Sequence, residues 1–444
     1  NFAAAEEHAD RMLSINPKSA RALNLKGILA YRKKDLNSAE KFYEKSIASD
    51  PGAGEPYSNL ATLKLAAGKE KEALKQFEKS FILSPTDLDI ATNYHVFVSE
   101  SGDYERAEKV VSQAAALYPN NRKIEYMLID FLVQQGKYDK TMGKIEAAIV
   151  KFGIEDGILA AALQVREKLE PLTIKPSKKK TTVSCCMIIK DEEKYLARCL
   201  ASIKPIVDEM IVVDTGSADR SKDIATAFGA QVYDIEWQKD FAKARNFSLE
   251  KASGDWILIM DGDEVISSLD YKHFNQIVKN RPKAPVAYTI VTRNYSALAN
   301  IVGWVPNDGK YVNEEAVAGW IPSVKTRLFY GRDQIWFEGA VHELVDPVVK
   351  KKGFETKNCS IPIHHYGRLD KERLERKGEL YFEIGKKKME EMGDDIFAVR
   401  EMAIQATTLE KNEMAVKLWK RLISLDPSEI MVADAYINIA TLYN

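Results

Sequence analysis

From Thr182 to about Glu264 the chain alternates short apolar runs with amphipathic stretches, while on both sides it reads as helix after helix. The runs VSCCMIIK (183–190), 210–217, QVYDIEW (231–237) and WILIMDGDE (256–264) have the length and composition of buried strands. Helical patterns separate them, around DEEKYLARCLASIKP, SKDIATAFGA and FAKARNFSLEKA. Such alternation predicts a mostly parallel sheet with helices on both faces. Ligands of these sheets bind beyond the C-terminal strand ends, where Asp191, Asp214 and Asp261 fall.

The helical flanks carry their own punctuation. Pro17, Pro51, Pro85 and Pro119 stand 34 residues apart, and Gly68, Gly102 and Gly136 keep that interval. Ala5, Ala39, Ala73 and Ala107 follow it too, each twelve residues before its proline. Glycine permits the turn inside a helix pair, alanine lets two helices approach, and proline stops the second helix. With Tyr57, Ala73, Phe77 and Pro85 in one unit and Leu23, Gly27, Ala39, Tyr43 and Pro51 in another, the array resembles tetratricopeptide repeats. A fourth unit around Gly136, Tyr138 and Ala148 keeps its turn and loses its final proline. Near the other end, Ala415, Trp419 and Pro427 repeat the spacing of Ala73, Phe77 and Pro85, and residues 431–444 read as a first helix. The chain starts on a second helix, without an initiator Met, and stops on a first one, so further repeat sequence is expected beyond both ends. The expected division is a repeat array over 1–174, an α/β unit over 175–370 and tetratricopeptide-like helices over 371–444.

Composition narrows the partners. With 45% hydrophobic and 29% charged residues the chain is an ordinary folding sequence, and a net charge of -1 gives no overall field for nucleic acid or anionic membrane. The basic run KPSKKKTT (175–182) reads as a solvated linker. No apolar run is long enough to span a bilayer, and the N-terminal residues lack a signal-peptide pattern. Cys185, Cys186, Cys199 and Cys359 have no zinc spacing and are expected as buried thiols, so the setting expected is a reducing cytoplasm.

Asp261 and Asp263 carry the sharpest chemistry, two carboxylates across Gly262 at a strand end. Hard oxygen ligands suit Mg²⁺ or Mn²⁺, and a bound ion could neutralise charge on a leaving diphosphate. Taken alone, such a pair is more often a plain turn.

It stands within KDEEKYLARCL (190–200), DEMIVVDTGSADRSKDIA (208–225) and WQKDFAKARNFSLEKASGDWILIMDGDE (237–264), which together closely resemble family 2 glycosyltransferases of GT-A fold, particularly those fused to tetratricopeptide repeats. The resemblance is strong over about 85 residues and continues weakly to Gly367. It implies a UDP-sugar or similar donor, Mn²⁺ or Mg²⁺, and inversion at the transferred carbon. By the same resemblance Ile188, Asp191, Asp214, Arg245 and Asp261 would line the nucleotide. Asp261, Asp263 and, from the IHHYG stretch, His365 would hold the metal. The family often has Asn where Asp191 stands, which leaves that residue's role open. Two structural alternatives compete: Asp214 capping the turn and helix that follow it, and Arg245 pairing with Asp240. Inverting transfer needs a base, for which Glu343 and His342 are the candidates; in an extended run only one of two neighbours faces the site.

Helical-repeat arrays present concave surfaces to peptides, so the expected acceptor is a protein or peptide held by the repeats, such as flagellin or another surface protein. Rival readings are a transferase that builds polysaccharide or lipid-linked glycan, and a scaffold without catalysis.

Overall fold

The repeated prolines and glycines mark helix ends in the computed structural model. It describes residues 2–169, 173–174, 181–297, 299, 303–331, 335–339, 343–370, 378–379, 382–386, 389, 393 and 395–443. The chain divides into two compact units, Asn1–Leu169 and Glu170–Asn444.

The first unit is all helix. Its elements are α1 (Phe2–Ile15), α2 (Ala20–Arg32), α3 (Leu36–Ser49), α4 (Gly54–Ala66), α5 (Glu70–Leu83), α6 (Leu88–Ser101), α7 (Tyr104–Leu117), α8 (Arg122–Gln134), α9 (Tyr138–Phe152) and α10 (Asp156–Arg166). Pro17, Pro51, Pro85 and Pro119 each stand two residues after the last residue of α1, α3, α5 and α7, because a proline inside the helix would remove a hydrogen bond and clash with the preceding turn. Gly153 stands where the fourth unit's proline would be. Ala39, Ala73 and Ala107 are buried, and so, one turn further on, are Tyr43, Phe77 and Val111. Gly27 is required by this packing, since a Cβ there would lie 2.5 Å from the Tyr43 ring. Gly68, Gly102 and Gly136 turn the chain with φ of 72°, 74° and 67°, and Lys34 occupies the same phase of the first unit with φ 64°. A left-handed backbone costs a residue with a Cβ about 1 kcal/mol. Gly102→Ala, with nothing near the added methyl, should therefore lower the array's stability to urea by about 1 kcal/mol. Lys34→Gly should raise it, and equal midpoints for both variants and the wild type would contradict this account.

The second unit is built on a sheet of nine strands among the described residues: β1 (Val183–Ile189), β2 (Glu209–Asp214), β3 (Gln231–Asp234), β4 (Trp256–Ile259), β5 (Glu264–Val265), β6 (Val286–Tyr295), β7 (Val305–Pro306), β8 (Gly319–Tyr330) and β9 (Glu355–His365). Their order is β3-β2-β1-β4-β8-β6-β9-β5, with β7 on β8. The first four strands are parallel, as the apolar runs predict. The other half is mixed, with β8 antiparallel to β4 and β6, β9 parallel to β6, and β5 antiparallel to β9. The sheet as a whole is thus less parallel than expected. The fourth apolar run is divided as well: β4 ends at Ile259, and the chain rejoins the sheet as β5 at its far end. The Asp261–Asp263 turn lies in that crossing.

Helices α11 (Glu193–Ile203), α12 (Ser221–Ala227) and α13 (Phe241–Lys251) follow the first three strands, α14 (Tyr271–Val278) follows β5, and α15 (Asp346–Lys351) precedes β9. α13 lies against β1 and β2, where Ala242 and Leu249 join Cys186, Ile211 and Ile257 in the core. The unit ends in α16 (Ile396–Thr408), α17 (Asn412–Ser424) and α18 (Glu429–Leu442). Ala415 and Trp419 are buried on α17 as the repeat pattern requires, and the Trp419 indole donates to Thr407 Oγ1 at 2.9 Å. All four cysteines are free and buried. Among the described residues no helix is long and apolar enough to cross a membrane. Residues 175–180 of the basic run lie outside the described residues.

Candidate active site

Three groups of side chains gather at the C-terminal ends of the parallel strands and along the crossing to β5. The first is the turn after β2. The Asp214 carboxylate, 1% exposed, accepts the N–H groups of Gly216 at 3.2 Å and Ser217 at 2.9 Å, together with the Ser217 hydroxyl. Its oxygens thus hold the DTGS turn, which is half of the structural alternative for this residue; they do not cap the helix that follows, which starts only at Ser221. Asp191, at φ 52°, is tied to the same turn: its N–H donates to Ser217 Oγ at 2.9 Å and its carboxylate accepts from Ala218 at 2.8 Å. Ile188, beside Val213 in the register of β1 and β2, is the one residue of β1 that keeps partial exposure.

The second group is a lattice of charges in which Arg245, Arg327 and Glu264 are buried and Asp261 and Glu343 partly so. Arg245 on α13 donates from Nη2 to Asp261, from Nη1 to the Met260 carbonyl at 3.3 Å and from Nε to Glu343 Oε1 at 3.2 Å. Asp240 is not its partner but caps α13 through the Lys243 N–H at 3.0 Å. Arg327 on β8 reaches Asp261 Oδ2 at 3.4 Å and Glu264 Oε1 at 2.7 Å, and Glu264 Oε2 accepts the Asp261 N–H at 2.8 Å. Burial alone would raise the Asp261 pKa, but Arg245 and Arg327 outweigh it and hold the carboxyl well below its usual range. Glu264 goes the other way: burial pushes it up against the pull of Arg327, with the Asp261 charge adding to the rise. Arg245 is raised despite burial, by Asp261 and Glu343.

The third group is a facing pair. Asp263 is 3% exposed, and its Oδ2 lies 3.3 Å from His365 Nε2. Their meeting is set by strand pairing, since Glu264 stands opposite His365 in the β5–β9 ladder. Burial would lower the His365 pKa, but the Asp263 carboxylate raises it above the ordinary value. Gly367 leaves room beside them: a Cβ there would lie 2.7 Å from His365 Nε2 and closer still to Asp263 Oδ2. Of the three expected metal ligands, the structure brings Asp263 and His365 together and turns Asp261 toward the two arginines. Among the described residues no three His, Cys, Asp or Glu side chains form a ready cluster for a metal. His342, the other base candidate, lies outside the described residues.

The model of the glycosyl transferase family 2 matches residues 184–312, and a tetratricopeptide-repeat model matches 1–54 and 99–153. Residues 184–312 are thereby assigned to the glycosyl transferase family 2. A TPR repeat-containing protein of Synechococcus elongatus is 37% identical over 203 residues, 44% of this chain and 44% of its own length. The SPbeta prophage-derived glycosyltransferase SunS of Bacillus subtilis is 28% identical over 164 residues, 36% of this chain and 34% of its own. An uncharacterized glycosyltransferase of Rickettsia typhi is 38% identical over 85 residues, 19% and 29% of the two chains. The chain thus spans less than half the length of these relatives.

The Asp263 carboxylate, inside the matched segment, and the His365 imidazole, beyond it, with the gap that Gly367 leaves, fit a divalent ion. A mixed oxygen and nitrogen set suits Mn²⁺ better than Mg²⁺, which keeps to oxygen ligands. Sequence reasoning passed over Arg327, Glu264, Asn294 and Gly367. A lone arginine before the apolar Leu328 and Phe329 was a usable signal for a buried ion pair; the other three depend on strand register, which the sequence does not display. Arg327→Met would leave the buried Glu264 without its cation and the part-exposed Asp261 with one cation fewer, at a cost of about 3 kcal/mol to the stability of the second unit. Adding Glu264→Gln should recover part of that in thermal unfolding, and a single variant as stable as the wild type would contradict the pairing described.

Proposed function

We propose that this protein transfers a sugar, with inversion, from a nucleotide diphosphate sugar, most simply a UDP-sugar, to a protein or peptide acceptor held by the repeats. The observation that carries the reading is the Asp263–His365 pair, open on the Gly367 side and adjoining the Arg245–Asp261 pair. In this reading Asp263 and His365 hold Mn²⁺ or Mg²⁺, with Asp261 beside them contacting ribose or the ion. When bound, the ion would neutralise charge developing on the departing diphosphate. Arg245 presents a planar guanidinium toward the nucleotide, its charge secured by Asp261 and Glu343. Asp214, Asp191 and Ile188 shape the nucleotide side through the DTGS turn, so Asp214 acts first by holding that turn and only its remaining acceptor capacity is left for the base or ribose. Glu343 takes the acceptor proton, with His342 as its alternative. The catalytic domain in this scheme is 175–370, between arrays at 1–174 and 371–444, and it acts in the cytoplasm on proteins such as flagellin or another surface subunit.

Incubation with a panel of nucleotide sugars and Mn²⁺ should show donor turnover that Asp263→Ala lowers at least about 100-fold. Gly367→Ala should abolish stimulation by Mn²⁺ while leaving the far-ultraviolet circular dichroism unchanged; undiminished stimulation would remove the metal site from this place. Mass spectrometry of candidate acceptors then decides the substrate. Label confined to lipid or polysaccharide would reassign the acceptor, and failure to bind any nucleotide sugar would point to a scaffold.

A further inference from the structure

The amide of Asn294, 9% exposed at the end of β6, has one orientation that its neighbours accept. Its Nδ2 lies 2.9 Å from the Ile321 carbonyl, 3.1 Å from Ser323 Oγ and 3.3 Å from the Thr292 carbonyl. Two of these are carbonyl oxygens, which only accept, so the NH₂ group must face them. The amide oxygen then points the other way, where His365 Nδ1 stands 2.7 Å from it. An amide oxygen does not donate, so Nδ1 carries the proton of this hydrogen bond. The strand ladder keeps all three groups in place: Asn294 is paired with Ile321 of β8 on one side and with His365 of β9 on the other.

The proton on Nδ1 decides what the far side of the ring can do. With Nδ1 protonated, the lone pair of a neutral His365 is on Nε2, facing Asp263 Oδ2 at 3.3 Å. Facing the carboxylate, that nitrogen either carries a second proton, as the imidazolium donating to Asp263, or gives its lone pair to a divalent cation that takes the proton's place. The reverse tautomer would set an unprotonated Nδ1 against the amide oxygen, and an Nε2–H cannot ligate a metal.

We propose that Asn294 is a positioning residue for metal binding, holding His365 in the tautomer whose Nε2 ligates a divalent cation beside Asp263. The inference rests on the reading of Asp263 and His365 as the metal ligands. Asn294 itself touches neither metal nor donor; it acts by spending its one carbonyl on His365 while β8 occupies its NH₂ group.

Two measurements test it. In long-range ¹H–¹⁵N spectra of protein labelled at histidine nitrogen and loaded with Cd²⁺ as a diamagnetic ion, with His365 identified by the signals lost in His365→Gln, Nδ1 should be the protonated nitrogen and Nε2 the ligand. An unprotonated Nδ1 overturns the proposal, and this reading needs no variant of Asn294. In Mn²⁺ titrations followed by electron paramagnetic resonance, Asn294→Leu should weaken binding about 10- to 100-fold. Equal affinity for Asn294→Leu and wild type overturns the positioning role while leaving the metal ligands in place. If instead Asp263→Ala binds Mn²⁺ as tightly as wild type, the metal reading itself falls and the inference with it.

Discussion

Two guanidinium groups, those of Arg245 and Arg327, stand among the carboxylates of Asp261, Glu264 and Glu343 where the parallel half of the sheet gives way to the mixed half. A carboxylate buried without a partner costs several kcal/mol, and so does a buried cation. Neither set is tolerable alone, and together they brace separate parts of the domain. Arg245 comes from α13, Arg327 from β8, the acidic turn from the crossing after β4, and Glu343 from the segment before α15. The crossing has little regular structure of its own, yet it must hold Asp261, Gly262 and Asp263 in fixed places. Its position follows from this charge balance on one side and from the β5–β9 ladder on the other.

That division also sorts the chemistry. Asp261 is surrounded by cations and is kept ionised by them, whereas Asp263, two residues on, faces an imidazole. Gly262 between them packs against Glu192, where a Cβ would come within 3.0 Å of its Cγ, so the turn can be close only because the residue has no side chain. Two carboxylates two residues apart thus serve different neighbours, one securing the arginines and the other facing His365.

The helical arrays were legible in the sequence because their phase is carried by residues with backbone consequences. Gly102 and Pro85 mark turn and stop wherever they occur, and even Lys34, which breaks the glycine pattern, adopts the same left-handed turn under the pressure of its neighbours. The parallel strands were legible for a similar reason, since buried inner strands show as unbroken apolar runs. The mixed half was not. Its strands derive their partners from distant segments, and nothing in WILIMDGDE shows that Glu264 leaves β4 to pair beside His365. The candidate site was therefore legible as a set of residues, Asp214, Arg245, Asp261, Asp263 and His365, but not as a set of neighbours. Asp214 turned out to hold its own turn, and Arg245 reached across to Asp261 rather than along its helix to Asp240.

The β5–β9 ladder also fixes an order of events in synthesis. Helices of the array touch chiefly their sequence neighbours, so the array can fold as it leaves the ribosome. The sheet of the second unit cannot. Asp263 and His365 are 102 residues apart, and until β9 has been made, β5 lacks the strand it pairs with and the acidic turn lacks its imidazole. During that interval the half-built sheet presents an open edge, with the finished repeats already standing upstream of it in the chain.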